Sequence, residues 1–239
     1  MQTLKELEKR LKLESNLEKA RIAQRFFKTG KGDYGEGDVF LGIIVPIQRK
    51  IVKEFCELKM DEIQELLDSK IHEKRLIALL ILVKQYEKAS KNSEENYKKE
   101  IFDFYLKNTK NINNWDLVDL SAPNIVGKYL TSKEHEILYK LAKSDNLWEK
   151  RIAILSTFTF IRQNDFNDTL KISEILLSDS HDLIHKSVGW MLREVGNRDK
   201  KVLENFLKKH YLKMPRTMLR YAIEKMEYNQ RQKYLKSEV

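Results

Sequence analysis

Lys74-Arg-Leu-Ile-Ala-Leu-Leu80 and Lys150-Arg-Ile-Ala-Ile-Leu155 are two similar stretches that decide the fold of this chain. They begin 150 − 74 = 76 positions apart, which is two repeats of about 38 residues. A related stretch begins at Lys186, 186 − 150 = 36 residues later, and another at Arg216, a further 216 − 186 = 30 residues on. Each places a cation before an apolar run, which predicts the start of an apolar helix in each repeat.

The apolar residues around these stretches recur at helical spacing. Two such stripes are Leu76, Leu79, Leu80 and Val83, and Ile152, Leu155, Phe158 and Thr159. The 239 residues include only 8 glycines and 3 prolines, and strand-like alternation with turn dipeptides is nearly absent. We therefore expect an all-α protein, a HEAT-like helical-repeat superhelix (an α-solenoid) of about six helix pairs whose second helices line a concave basic groove. Residues 1–239 are expected to form one such domain.

Charge and cysteine content indicate which kinds of binding partner and which cellular compartment to expect. The chain has 45 Lys and Arg against 36 Asp and Glu, a net charge of +9, which permits an acidic partner such as nucleic acid. A basic but merely solvated surface is the alternative. The single cysteine, Cys56, excludes an intramolecular disulfide, fits a reducing compartment and is expected to be a small core residue. With no apolar leader and no long apolar run, we expect no membrane span and a cytoplasmic location. We also expect a monomer.

The segment Asn111-Ile-Asn-Asn-Trp-Asp-Leu-Val-Asp-Leu-Ser-Ala-Pro123 contains an unusual pair of residues. Asn113 or Asn114 can cap a helix there, and Trp115 and Asp119, four residues apart, then share one face. The structural alternative is a core tryptophan beside a solvated or ion-paired acid, and this segment alone favours that alternative.

Glycine is concentrated in one place, because five of the eight glycines lie between Thr29 and Gly42. This spacing predicts a loop after an N-terminal helix pair, and it lacks the Gly-Lys-Ser/Thr of a P-loop. Tyr34 and Phe40 are candidates for anchors or for parts of a lid, although a flexible connector is the simpler interpretation. At the other end of the chain, the tail from Arg231 to Val239 is expected to fray.

If the second helices line the groove, four residues converge on it: Trp115, Asp119, Arg151 and Trp190. An arginine can bind phosphate bidentately, a tryptophan face can pack on a sugar or a cationic base, and a carboxylate can stabilise positive charge developing on a sugar. Four more cations would add phosphate contacts, with a solvated helix face as the alternative for each: Lys186, Arg193, Arg216 and Arg220. Gly189 permits close backbone approach to a ligand, or only tight helix packing.

Histidine offers little support for a metal site. His181 and His185 are four apart and share a face if they lie on a helix, but no third ligand lies nearby in the sequence. Exposed or capping histidines are therefore the expected interpretation, and no metal or other cofactor is expected.

Four motifs, taken in order, resemble the AlkD-type DNA alkylation repair proteins from about Ala20 to about Met226. They are Tyr34-Gly-Glu-Gly-Asp-Val-Phe-Leu-Gly42, Asn114-Trp-Asp-Leu-Val-Asp119, Leu147-Trp-Glu-Lys-Arg151 and Val188-Gly-Trp-Met-Leu-Arg-Glu194. Each motif alone is weak, but their order makes the combination specific. The resemblance implies a HEAT-like superhelix that holds duplex DNA in its concave face. It also implies a monofunctional glycosylase that removes cationic alkylated purines such as 3-methyladenine and 7-methylguanine.

The resemblance also assigns roles to individual residues. Asp119 would be the catalytic acid, Trp115 and Trp190 would flank the deoxyribose of the lesion, Arg151 would hold the DNA backbone, and Tyr34 would lie near the lesion. It implies that the lesion is processed while still stacked, and the absence of a base-reading pocket motif agrees with this. Two other functions compete: a non-catalytic relative that binds damaged or branched DNA, and a HEAT scaffold that uses its tryptophans as hot spots for protein partners.

Overall fold

Helices make up 69% of the computed structural model, which describes residues 3–238. No strand occurs among these residues, and the only strand-like pairing they show is an isolated parallel bridge between Val39 and Ile71. The predicted all-α helical-repeat class is therefore confirmed. The packing divides the chain into two compact units, Met1–Ser121 and Ala122–Val239. One domain over residues 1–239 and a concave basic groove stay predictions.

The first unit is a set of helices packed around one long apolar helix. Its α-helices are α1 (Leu4–Glu14), α2 (Leu17–Phe26), α3 (Val45–Glu54), α4 (Met60–Leu67), α5 (His72–Lys91), α6 (Glu95–Lys107) and α7 (Trp115–Ser121), with a 3-10 turn at Thr109–Asn111. The predicted helix pair before the glycine-rich loop is present as α1 and α2.

Helix α5 is the core of the first unit because its middle part is buried on every side. The run from Leu76 to Val83 is buried throughout, so the predicted stripe is part of a wider buried surface. Helices α3, α4, α6 and α7 all pack against α5. The short helix α7, which carries Trp115 and Asp119, is thereby fixed to the most buried element of the unit.

The second unit consists mainly of successive helix pairs. It begins with a π-helical turn at Pro123–Gly127, followed by α8 (Lys128–Leu130), α9 (Glu136–Ala142), α10 (Leu147–Ser156), α11 (Phe158–Ile161), α12 (Asn167–Ile175), α13 (Asp182–Arg198), α14 (Lys200–His210), α15 (Arg216–Ala222) and α16 (Tyr228–Lys236). Asn146 starts α10 by accepting hydrogen bonds from the amides of Trp148 (2.8 Å) and Glu149 (3.4 Å), as an N-cap residue does.

Successive second helices stack directly in this unit. Helix α10 packs on α13, and α13 packs on α15, while α9, α12 and α14 lie beside them as first helices. This is the two-layer stacking that the repeat of about 38 residues predicts. Trp190 lies on α13, the longest helix of the unit.

Two sequence-based expectations about single segments are wrong. Cys56 lies beyond the end of α3 and is half-buried, so it is not a core residue. The tail is helical as far as Lys236 instead of frayed. Tyr234 in this helix is 2% exposed and packs edge-on against Tyr211, with 5.4 Å between the ring centroids. Val239, the last residue of the predicted fraying tail, lies outside the described residues.

None of the helices between residues 3 and 238 has the length and apolar character needed to cross a membrane.

Candidate functional site

Helix α7 places the predicted pair on one face. Trp115 and Asp119 are its first and fifth residues, both are half-buried, and a spacing of four puts their side chains on the same side. Of the two predicted capping residues, Asn114 is the one that begins the helix. Its carbonyl oxygen accepts from the amide of Val118 at 3.2 Å, and its side-chain oxygen accepts from the amide of Trp115 at 2.8 Å.

Trp115 belongs to a row of aromatic side chains that the sequence did not reveal. Its ring stacks on Phe27 with centroids 5.3 Å apart and an angle of 17° between the planes. Phe26 meets it edge-on at 5.9 Å, and Phe27 stacks in turn on Phe40 at 5.0 Å. Since Phe26 is 63% exposed, the row runs from the interior to the surface and holds the indole ring in place.

A buried chain of charged groups lies beneath this row. The imidazole of His72 is 2.8 Å from a carboxylate oxygen of Asp116 and 3.1 Å from one of Asp38, whose other oxygen accepts from Arg75 at 2.6 Å. Burial disfavours the charged form of His72, but its hydrogen bonds to Asp116 and Asp38 outweigh burial and raise its pKa to about 9. The histidine is then a cation at neutral pH, so two cations face two carboxylates and the buried charges balance.

The end of the glycine-rich loop is anchored in the first unit, through Asp38 of this network and through Glu73, so a flexible connector does not describe this part of it. Asp38 and Phe40 are both buried. The buried carboxylate of Glu73 accepts hydrogen bonds from the amides of Leu41 (3.0 Å), Gly42 (2.8 Å) and Ile43 (3.2 Å). Of the two anchor candidates, Phe40 is an anchor. Tyr34 is half-buried in the same loop, and its predicted place near a lesion stays a prediction.

Asp119 lies near a second buried group. Tyr105 is fully buried and its hydroxyl is 2.9 Å from that of Ser121. Burial raises the pKa of Tyr105, and the negative charge of Asp119 raises it further against the opposing hydrogen bond of Ser121. The carboxylate of Asp119 is thus close to the interior without being enclosed in it.

Trp190 in the second unit is held by its own helix. Its indole nitrogen donates to a carboxylate oxygen of Glu194 at 3.0 Å, one turn further along α13, and Phe158 lies at 5.9 Å between centroids. A Cβ atom on Gly189 would lie 2.5 Å from the carbonyl oxygen of Met218. Of the two roles considered for Gly189, the structure therefore shows tight packing of α13 on α15.

The predicted phosphate-binding cations of the second unit differ in exposure. Arg151 is only 5% exposed and donates to the carbonyl oxygen of Leu183 at 2.6 Å. Lys186 is ion-paired with Asp182 at 2.6 Å, and Arg193 is ion-paired with Glu194 and Glu224. Arg216 and Arg220 are exposed on α15. Contact of all five with DNA stays a prediction.

His181 and His185, at the start of α13, make hydrogen bonds to backbone groups, and the expected capping role is confirmed for His181. A ring nitrogen of His181 accepts from the amide of Leu183 at 3.1 Å and caps the helix. His185 donates to the carbonyl oxygen of Asp179 at 2.6 Å. No group of three potential metal ligands is found within residues 3–238.

Comparison with known proteins fits this arrangement. Residues 7–226 match the model of the family described as DNA alkylation repair enzyme, and the chain belongs to that family. A solved structure described as a predicted DNA alkylation repair enzyme from Enterococcus faecalis is 15% identical, with a TM-score of 0.65. The match covers 90% of this chain and 98% of that one, and it shows a shared fold. No curated protein sequence matches the chain.

Proposed function

We propose that this protein is a DNA N-glycosylase that releases cationic alkylated purines, such as 3-methyladenine and 7-methylguanine, from duplex DNA. Membership of the DNA alkylation repair family supports a role in the repair of alkylated DNA. The observation that carries the finer proposal is the half-buried face of α7, which presents Trp115 and Asp119 together.

The proposed hydrolysis of the glycosidic bond requires one carboxylate. Alkylation at N3 or N7 makes the purine a cation, so the glycosidic electron pair can leave with the base, which departs neutral. The sugar then develops positive charge, which Asp119 stabilises electrostatically. Asp119 also orients a water molecule, whose oxygen bonds to the anomeric carbon and whose proton passes to the carboxylate or to solvent. The products are the free base and an abasic site, and no metal or cofactor takes part.

The surroundings of α7 support Asp119 over the other acid of the same helix. Asp116 is buried and its carboxylate lies 2.8 Å from the imidazole of His72, so a deoxyribose cannot pack against it. Asp119 is half-buried and lies on the face of Trp115, where a deoxyribose could pack against the indole ring. Trp190, in the second unit, is proposed to pack against the sugar-phosphate backbone of the DNA.

Binding of the duplex is proposed to rest on cations of the second unit and on Tyr34. Arg216 and Arg220 are the most accessible, and Lys186 and Arg193 would exchange carboxylate partners for phosphates. The side chain of Arg151 is only 5% exposed, which supports an indirect role in DNA binding. Its bond to Leu183 fixes the first turn of α13, the helix that carries Lys186, Trp190 and Arg193.

The test of this function is base release from methylated duplex DNA. Wild-type protein should release 3-methyladenine or 7-methylguanine and leave an unbroken strand that breaks only after alkaline or heat treatment of the abasic site. DNA binding should weaken steeply with salt because phosphate contacts release counterions. Salt-dependent binding without base release would favour the non-catalytic DNA-binding protein, and the absence of DNA binding would favour a scaffold for protein partners.

A further inference from the structure

The buried charge network of the first unit holds the start of α7, although none of its groups takes part in the proposed reaction. Asp38 accepts a hydrogen bond from the side-chain amide of Asn114 at 3.3 Å, and the side-chain oxygen of Asn114 accepts from the backbone amide of Trp115 at 2.8 Å. Asp116, the next residue of the helix, has a carboxylate oxygen 2.8 Å from the imidazole of His72. The first turn of α7 is therefore connected to Asp38 and to His72 by hydrogen bonds.

His72 is also connected to Trp115 through a stack of aromatic rings. Its imidazole stacks on Phe40 with centroids 4.7 Å apart and lies 4.9 Å from the ring of Phe27. Phe27 in turn stacks on the indole of Trp115 at 5.3 Å. A cation is attracted to the face of an aromatic ring, so a charged imidazole strengthens this stack. His72 thus contacts α7 in two ways, through the carboxylate of Asp116 and through the rings that pack on Trp115.

The two hydrogen bonds of the imidazole require its proton. His72 faces a carboxylate on each ring nitrogen, and only the charged ring carries an N–H on both of them. A neutral ring has one N–H, so it donates to Asp116 or to Asp38 but not to both. Loss of the proton therefore releases one of the two carboxylates that connect α7 to the rest of the first unit.

The charged groups around His72 favour its protonated form on balance. Burial lowers its pKa and the charge of Arg75 lowers it too, but the carboxylates of Asp116 and Asp38 raise it to about 9. Two further charged side chains line the same apolar cavity as His72: Glu73 of α5 and Lys19 of α2. The α3 side chains that line this cavity carry no charge. His72 is therefore charged at neutral pH and loses its proton in mildly alkaline solution.

We propose that His72 is a positioning residue of the reaction, which keeps Trp115 and Asp119 of α7 in their reactive arrangement. It does so through the carboxylates of Asp38 and Asp116 on its two ring nitrogens, and the identity of the reaction rests on the proposed function. Asp116 lies one helical turn before Asp119, so a helix that is held at Asp116 also fixes the direction of the Asp119 carboxylate. A misplacement of about 1 Å can slow a reaction roughly 10²-fold. Loss of the imidazole proton therefore slows excision although His72 touches neither the sugar nor the base.

The experiment measures the single-turnover rate at which saturating protein excises 7-methylguanine from duplex DNA between pH 7 and pH 10. Wild type should lose activity with a midpoint near pH 9 and be roughly tenfold slower at pH 10, where about nine-tenths of the His72 side chains are neutral. Asp116→Asn should move the midpoint to lower pH, because the hydrogen bond and the charge of Asp116 raise the pKa of His72 against its burial. His72→Gln should be slow at every pH and lack this titration.

The matched control is Asp168→Asn in the second unit. It makes the same change at a carboxylate that lies 2.7 Å from the imidazole of His135, and it should keep the wild-type midpoint. An effect of pH on the lesion itself changes all the profiles equally, since every protein acts on the same DNA. A midpoint that moves in Asp116→Asn and not in Asp168→Asn therefore reports His72. Circular dichroism at each pH checks that the helices are intact.

The fluorescence of Trp115 gives a second measurement that needs no DNA. In full-length protein whose other two tryptophans are replaced by phenylalanine, it should change with the same midpoint near pH 9. The change should come at lower pH in Asp116→Asn and be absent in His72→Gln. If His72→Gln does not fold, the shift in Asp116→Asn is sufficient for the test.

Two outcomes would overturn the positioning role while leaving the glycosylase in place: wild-type excision that is constant up to pH 10, or the same midpoint in wild type and in Asp116→Asn. No excision by wild type at any pH would reject the proposed reaction instead. In that case a Trp115 signal that does not titrate near pH 9 would also reject the control of α7 by His72.

Discussion

The two candidate tryptophans lie in contrasting surroundings. Trp115 stands on a helix of 7 residues and is held by rings from distant parts of the chain, Phe26 and Phe27, above a buried charge network. Trp190 stands on a helix of 17 residues and donates a hydrogen bond to Glu194, one turn away on the same helix, with Phe158 of α11 at 5.9 Å between ring centroids. A short helix that gains most of its stability from tertiary contacts should be sensitive to changes far away in sequence. A long, well-packed helix should be sensitive mainly to local changes.

Replacing His72 should have the largest effect, and it is the strongest test of the difference between the surroundings of Trp115 and those of Trp190. His72→Gln leaves Asp38 and Asp116 buried without the cation between them, and removing one partner of a buried charged pair typically costs about 3–5 kcal/mol. Urea unfolding, followed by Trp115 in a background without the other two tryptophans, measures the loss. The matched change in the second unit is Glu194→Gln, which keeps an acceptor for Trp190 and should cost less than about 1 kcal/mol. Equal losses in the free energy of unfolding for His72→Gln and Glu194→Gln would contradict this difference between the two tryptophans.

The same network predicts a pH dependence of stability. Because His72 has a folded pKa of about 9 against an ordinary value of 6.5, protonation favours the folded state. The stabilisation is fully present below pH 6.5 and is lost as the pH rises through 9, with a total of about 3 kcal/mol for a shift of this size. The free energy of unfolding, measured between pH 6 and pH 10, should therefore fall in wild type. His72→Gln should lack this component, and identical profiles for both proteins would contradict the charged state of His72.

Packing beside Trp190 can be tested with two glycines of α13. Gly189→Ala would place a Cβ atom 2.5 Å from the backbone oxygen of Met218, and such overpacking costs roughly 1–3 kcal/mol. Gly196→Ala is the matched control, since its Cβ meets the end of the Leu203 side chain, which can rotate away. In a helix interior, alanine is also more favourable than glycine by about 1 kcal/mol. Thermal unfolding should show a clear loss for Gly189→Ala and little change for Gly196→Ala; the reverse order would mean that α13 and α15 are less closely packed.

The smallest expected effect concerns DNA affinity. Arg220 is exposed, whereas Arg193 is held by two carboxylates. Arg220→Ala should weaken binding of undamaged and methylated duplexes alike and reduce the slope of log affinity against log salt by about 1. Arg193→Ala should change the slope less, because its carboxylate partners compete with phosphate. Fluorescence anisotropy across a salt series measures both, and an unchanged slope for Arg220→Ala would exclude its phosphate contact.

The sequence predicted the features that depend on local spacing. The stretches at Lys74 and Lys150 are in helices α5 and α10, and the stripe from Leu76 to Val83 is buried, because helical periodicity is a property of neighbouring residues. For the same reason, the spacing of Trp115 and Asp119 was enough to predict that they share one face of one helix.

Features that depend on contacts between distant segments could not be predicted. Asp38 meets His72 across 34 positions, and His72 meets Asp116 across 44, and no spacing rule connects such residues. The repeated Lys-Arg pairs are instructive, because both arginines are buried. Arg75 donates to the carbonyl oxygen of Ser69 and Arg151 to that of Leu183. An arginine at the start of an apolar helix therefore indicated a backbone contact within the protein as readily as an exposed phosphate-binding site.

The most direct test of the central claim is the single-turnover rate at which Asp119→Asn excises 7-methylguanine. The substitution removes the charge and keeps the size, so DNA affinity and thermal stability should stay near wild type. Excision should slow by roughly 10²-fold or more, the scale of losing one preorganised electrostatic group. Asp103→Asn, the same change at an exposed acid of α6, should excise at the wild-type rate. Unfolding of Asp119→Asn would make Asp119 a structural acid, and excision of 7-methylguanine by Asp119→Asn at the wild-type rate would contradict its catalytic role.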